Sequence, residues 1–86
     1  MTDILLLLNC NAGHEQELVD SIRQIPGVTE ASVMVGPYDM MVRVSAETTS
    51  EAKNVVNWQI KRLEGVRTST ALIVKSNHFS RHALLK

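Results

Sequence analysis

Ile4-Leu5-Leu6-Leu7-Leu8 is a continuous apolar run, not an alternating one. Leucine is a good helix former, so propensity alone favours a helix here. The run is short, however, and it ends in the breaker cluster Asn9-Cys10-Asn11-Ala12-Gly13. An apolar run bounded in this way reads as a strand buried on both faces. Ala71-Leu72-Ile73-Val74, near the other end, is likewise apolar on both faces. In a chain of 86 residues this is a severe constraint. A single domain of that size lies near the lower limit of self-sufficiency and has little material with which to cover a sheet twice.

The segments between these runs alternate in period. Gly13-His14-Glu15-Gln16-Glu17 opens a helix, with acidic residues in the first turn where they complement the positive end of the macrodipole. Leu18, Val19, Ile22 and Ile25 follow as a core stripe, and Pro26-Gly27 stops the helix. Val28 to Val35 reads as a strand with Ala31, Val33 and Val35 on one face and Ser32 and Met34 on the other. Gly36-Pro37 is a turn signal. Asp39 to Ala46 is the next strand, with Met40, Val42 and Val44 facing one way and Met41, Arg43 and Ser45 the other. Thr48 and Glu51 stand at capping-box spacing. Ala52, Val55, Val56, Ile60 and Leu63 mark the core face of the second helix. Trp58 falls roughly opposite Val56 and points away from that face, which favours contact with another subunit. Glu64-Gly65-Val66 ends this helix as Pro26-Gly27-Val28 ends the first, and Arg67 to Lys75 is the last strand. Residues 76–86 read as a tail, in which His78 and His82 make an incomplete zinc pair and Phe79, Ala83 and Leu84 a short apolar edge.

Strand, helix, strand, strand, helix, strand is the split-βαβ order of ferredoxin-like folds. The expectation is an α+β domain over residues 1–75, with a four-stranded antiparallel sheet and both helices on one face. The apolar second face is then covered most economically by another subunit's sheet, as an isologous dimer with the character of an α/β sandwich or barrel.

Charge narrows the function classes. Lys+Arg equals Asp+Glu, the formal net charge is zero and no basic run exists, so direct nucleic-acid binding is not expected. Cys10 is the only cysteine, which excludes an intrachain disulfide and suits a reducing cytoplasm. Ile4 to Leu8 is too short to span a bilayer and follows Asp3 without a basic flank, so neither a membrane anchor nor a signal peptide is expected. His14 has no second ligand at metal spacing, and no cofactor is implied.

Chemistry-bearing residues gather around Val35-Gly36-Pro37-Tyr38-Asp39 and Thr68-Ser69-Thr70. A zwitterion needs a carboxylate for its ammonium and donors for its carboxylate. Asp39 can supply the first. Backbone N–H groups around Gly36 and the hydroxyls of Thr68, Ser69 and Thr70 can supply the second. The bland alternative is that Asp39 caps a turn and the hydroxyls satisfy edge backbone groups. Gly36-x-Tyr38-Asp39 between strands, a helix ending Leu63-x-Gly65-Val66 and Thr68-x-Thr70 entering an apolar strand together resemble the effector-binding domain of the leucine-responsive regulatory protein/AsnC family, from about Ile4 to Lys75. The resemblance implies dimers that assemble into rings, commonly octamers, with a free amino acid or similar effector bound between dimers. It places Val35, Gly36, Tyr38, Asp39, Thr68, Ser69 and Thr70 at the effector site. Full-length members also carry an N-terminal helix-turn-helix. This chain starts at its first strand, so it resembles a stand-alone effector domain, with a full-length relative as an expected partner. Two other readings stay open on the residues alone: a small dimeric α/β-barrel enzyme, such as a monooxygenase or isomerase with Asp39 as its acid, and an assembly protein without a ligand.

Overall fold

A computed structural model describes residues 1–74. Its elements are β1 (Thr2–Cys10), α1 (Glu15–Arg23), β2 (Val28–Val33), β3 (Met40–Ala46), α2 (Thr49–Asn54) continuing into a π-helical segment (Val55–Ile60), and β4 (Val66–Val74). The expected tail, with His78, His82, Phe79, Ala83 and Leu84, and the last strand residue Lys75 lie outside the described residues.

The strands form one antiparallel sheet in the order β2-β3-β1-β4, so the first strand lies inside the sheet and the last at its edge. This is the ferredoxin-like arrangement. Along β1, Ile4, Leu6, Leu8 and Cys10 are buried, while Leu5 and Leu7 between them are only half-buried. The expectation of a strand buried on both faces is therefore corrected within the protomer. The helices cover one side of the sheet and nothing in the described chain covers the other. On the covered side Met40, Val42 and Val44 extend the core across β3, and Leu18, Val19 and Ile22 of α1 close over it with Ala52, Val56 and Ile60 of the second helix. At the edge, Leu72 and Ile73 are 48% and 46% exposed although they point to opposite faces.

β1 also runs further than its breaker residues suggest. Asn9 pairs with Thr68 and Cys10 with Val66 across an irregularity in register, so ladder hydrogen bonds override the poor strand propensity of asparagine. β2 ends earlier than expected, at Val33, and Val35 is fully exposed. The loop to β3 is closed by Met34 N–H donating to the Asp39 carbonyl at 2.8 Å. Gly36 and Pro37 thus occupy the tip of the loop that joins the antiparallel strands β2 and β3.

The two helix exits repeat one device. In Ile25-Pro26-Gly27-Val28 and Leu63-Glu64-Gly65-Val66 the valine N–H returns to the first carbonyl, at 3.1 and 3.3 Å, and the glycines have φ of +98° and +101°. Positive φ at the third residue is the requirement of a type II turn, which glycine meets without steric cost. At the start of α2, Thr48 Oγ1 accepts from Glu51 N–H at 3.1 Å. That is half of the expected capping box; the return bond from Glu51 is absent among the described residues. The second helix then widens: Lys61 N–H reaches the Val56 carbonyl, five residues back, at 2.9 Å. Val56 and Ile60 stay buried through this wider turn, and Trp58 is left 64% exposed.

Leu6 is wholly buried in the core beneath the helices. Leu6→Ala is expected to lower stability by about 2–5 kcal/mol, the range for a leucine deleted from a core. Urea unfolding checks this, and a loss below about 1 kcal/mol would mean that the site collapses freely around the smaller residue.

Candidate functional site

The residues singled out in the sequence come together because the topology brings four chain segments to one end of the sheet. β1 ends there, β4 begins there, and the loop from β2 delivers the chain into β3. Leu8 pairs with Met40, so one step further along the register Asp39 stands beside Asn9. Asp39 N–H donates to the Leu8 carbonyl at 2.8 Å. Its carboxylate oxygen Oδ2 accepts from Cys10 N–H at 2.9 Å. The ladder between β1 and β3 has ended at this point, and the side chain satisfies a backbone donor that the strand no longer reaches. Asp39 is thus a structural tie between the β2–β3 loop and β1. A carboxylate has about four acceptor positions, so this bond leaves capacity for a ligand.

The tie perturbs Cys10. Burial pushes its thiol pKa up, and the negative charges of Asp39 and Glu15 push it further the same way. The folded thiol keeps its proton at a pH where the unfolded one ionises. The folded state therefore loses stability as pH rises from the ordinary thiol range toward the raised value.

On the other side of β1, Thr68 pairs with Asn9, Ser69 with Leu8 and Thr70 with Leu7. Partners in register share a face, so Thr68 and Thr70 lie on the open side of the sheet and Ser69 on the helix side. The three hydroxyls do not form one cluster. Asp39 and Thr68 flank the same strand, which sets their backbones roughly 10 Å apart, twice the spacing of neighbouring strands. Val35 and Gly36 are exposed at the loop tip, and Tyr38 is half-buried beside them. Gly36 has φ of +140°, and a Cβ there meets nothing within 4 Å, so the glycine serves the backbone conformation and leaves its peptide groups open to approach.

A second feature at this end of the sheet had no sequence signal. Asn11 N–H donates to the Gly65 carbonyl at 3.0 Å and so joins the β1–α1 loop to the turn before β4. Around that joint lies a groove of about 480 Å³ lined by Asn11, His14, Glu17, Leu18, Ser21, Leu63, Glu64 and Gly65. Glu17 and Glu64 each read as ordinary surface acids in the sequence. Only the return of the chain through two helices brings them to one groove.

Comparison with known proteins bears on this arrangement. The family model described as the Lrp/AsnC ligand binding domain matches residues 4–84. An uncharacterized HTH-type transcriptional regulator of Pyrococcus furiosus is 25% identical over 59 residues, which are 69% of this chain and 39% of the relative. The chain therefore corresponds to well under two thirds of that relative's length. Among solved structures, FFRP-DM1 superposes with a TM-score of 0.82 at 26% identity, covering 86% of this chain and 99% of its own. TTHA0845 of Thermus thermophilus gives 0.81 at 30% identity over 86% and 92% of the two chains. The transcriptional regulator NMB0573 of Neisseria meningitidis, solved as an L-Met complex, gives 0.77 at 15% identity, covering 92% of this chain and 53% of that one, a likeness of fold.

Because Cys10 is the only cysteine, the ultraviolet absorbance of its thiolate can be titrated without interference from another thiol. The midpoint is expected above the ordinary thiol range. Asp39→Asn keeps an acceptor for Cys10 N–H but removes the charge, and should move the midpoint down without restoring the ordinary value, since burial persists. An unchanged midpoint would place Asp39 away from the thiol.

Proposed function

The chain belongs to the Lrp/AsnC ligand-binding domain family, and on that premise we propose that it is a sensor of a free amino acid or similar small effector, acting through self-association and not through catalysis. Two copies pair through the open faces of their sheets, where Leu5, Leu7, Met41 and Leu72 lack full cover among the described residues. The effector lies at the loop end of the sheet. The remaining acceptor capacity of the Asp39 carboxylate takes the ammonium, and peptide N–H groups around Gly36 take the carboxylate. Val35 and Tyr38 flank it from the same loop. Thr68 and Thr70 offer hydroxyls on the open face, within the protomer or across to a second copy; Ser69 supports the strand from the helix side. A full-length regulator of the family is the natural partner to receive the signal, in the cytoplasm. Among the described residues no helix is long and apolar enough to cross a membrane.

The observation that supports this most is the joining of Gly36–Asp39 to β1 by two hydrogen bonds at Asp39, one donated by its N–H to Leu8 and one accepted by its carboxylate from Cys10, beside the start of β4. A loop tied to the central strand holds its open peptide groups in place before the ligand arrives, which lowers the ordering cost of binding. The solved Neisseria relative with L-Met accords with an amino-acid effector.

A panel of amino acids in thermal-shift assays identifies the best ligand, because a molecule that binds only the native state raises its apparent stability. Calorimetric titration of wild type and Asp39→Asn then tests the site. Affinity should fall by about 1.5–3 kcal/mol, as for a hydrogen bond to a charged group, while the fold persists. Equal affinities would move the ammonium site elsewhere.

A further inference from the structure

The strand order leaves the sheet two edges, the outer sides of β2 and β4. An edge strand presents unpaired N–H and C=O groups to any extended segment that meets it. On β2 the register shows which groups these are. Ser32 stands opposite Met41, so Met34 and Asp39 continue the same register, and Met34 N–H donates to the Asp39 carbonyl. Bonded and non-bonded pairs alternate along an antiparallel ladder. Ala31 opposite Val42 and Val33 opposite Met40 are then non-bonded pairs, and their N–H and C=O groups point away from β3, toward the outer edge. The strand, Val28-Thr29-Glu30-Ala31-Ser32-Val33, contains no lysine or proline, and its irregularity lies at its start, between Val28 and Glu30. Over Ala31 to Val33 it therefore lacks the usual means of blunting an edge.

Arg23 stands in their place. It is the last residue of α1, and its guanidinium forks onto the outward carbonyl of Ala31, with Nε at 3.1 Å and Nη2 at 2.8 Å. Asp20 Oδ1, in the same helix, stands 3.7 Å from Nη1. A carbonyl oxygen has two lone pairs, so the fork leaves no acceptor there for the N–H of an incoming strand. A hollow of about 340 Å³, lined by Arg23 and residues 28–32, runs beside the strand, so the edge is otherwise open to approach. Among the described residues no side chain hydrogen-bonds to the backbone of β4.

We propose that Arg23 closes the outer edge of β2 against strand addition, and that the segment it excludes is an edge strand of another copy of this chain. With β2 closed, edge pairing between copies has β4 alone to use and stops at two chains. With both edges open, each added chain presents a new edge and the sheet grows without end. Face-to-face pairing of sheets consumes no edge, so the guard is independent of it. A cation at the end of α1 also favours the helix macrodipole, but a role confined to the helix would change stability and leave the edge as it is.

The full chain and Arg23→Ala are incubated at equal concentration under native conditions and followed by circular dichroism, sedimentation velocity and thioflavin T fluorescence. Alanine keeps the end of α1 helical. Arg23→Ala should start with native circular dichroism and then grow into thioflavin-positive species larger than any that the wild type forms. Adding Val33→Pro separates the edge from a general loss of stability. Val33 N–H points outward, so proline there removes no bond of the β2–β3 ladder and takes a donor from the edge. The double variant should lose the growth. If Arg23→Ala does not fold, Arg23→Gln, a good helix former that has no guanidinium fork, carries the same measurements. An Arg23 variant that folds and assembles as the wild type does would overturn the proposal. So would growth that persists with Val33→Pro, which would proceed from unfolded chain and not from the edge. Loss of folding in both Arg23 variants would also overturn it, because Arg23 would then be a requirement of the fold and not a guard of its edge.

Discussion

The alternation of side chains along β1 is the constraint on which the rest of the structure depends. Every second residue from Ile4 to Cys10 is buried beneath the helices, and full burial of such side chains contributes about 1.5–3 kcal/mol each. The intervening Leu5 and Leu7 repeat the same chemistry on a face that no element among the described residues covers. β1 pairs on both sides, so both of its faces extend across neighbouring strands. One face becomes the core of the domain. The other is the face through which we propose that the chain associates.

Much of this fold was legible because local chemistry and tertiary demand agree. Gly27 and Gly65 end the helices in the same turn, and Thr48 caps α2. Met40, Val42 and Val44 alternate as a half-buried strand must, with Arg43 on the open face opposite Leu5. The continuous run at Ile4 to Leu8 was the instructive exception. Apolar character on both faces says that both need cover, but not whether the cover is intramolecular. The π-helical turn at Val55–Ile60 had no sequence signature, since its residues are compatible with an ordinary helix. Val56 and Ile60 stay packed in the core through it, and the chain leaves it by the turn Leu63-Glu64-Gly65-Val66.

The candidate site was legible in part, for a related reason. Glycine, an aromatic hydroxyl and a carboxylate at a loop tip mark a place where a ligand can approach backbone, and function concentrates on loops held by a rigid scaffold. The sequence could not separate Ser69 from Thr68 and Thr70, because that depends on the register of β4 against β1. Nor could it show that Asp39 satisfies Cys10 N–H. The bland and functional readings of Asp39 are compatible: the bond that caps the end of β1 also fixes the carboxylate beside the open peptide groups of the loop. The strand that receives Asp39 is the strand whose other residues carry the open face, so the proposed effector loop and the proposed association surface share one element.

We propose that the open sheet face is completed by a second copy of this chain. Multi-angle light scattering of the full chain, over a concentration series reaching down through the micromolar range, tests it most directly. A mass of at least two chains is expected wherever the protein is folded, with folded structure and assembly lost together on further dilution. A stable, well-folded monomer at micromolar concentration would contradict it, because Leu5, Leu7 and Leu72 would then face water without consequence.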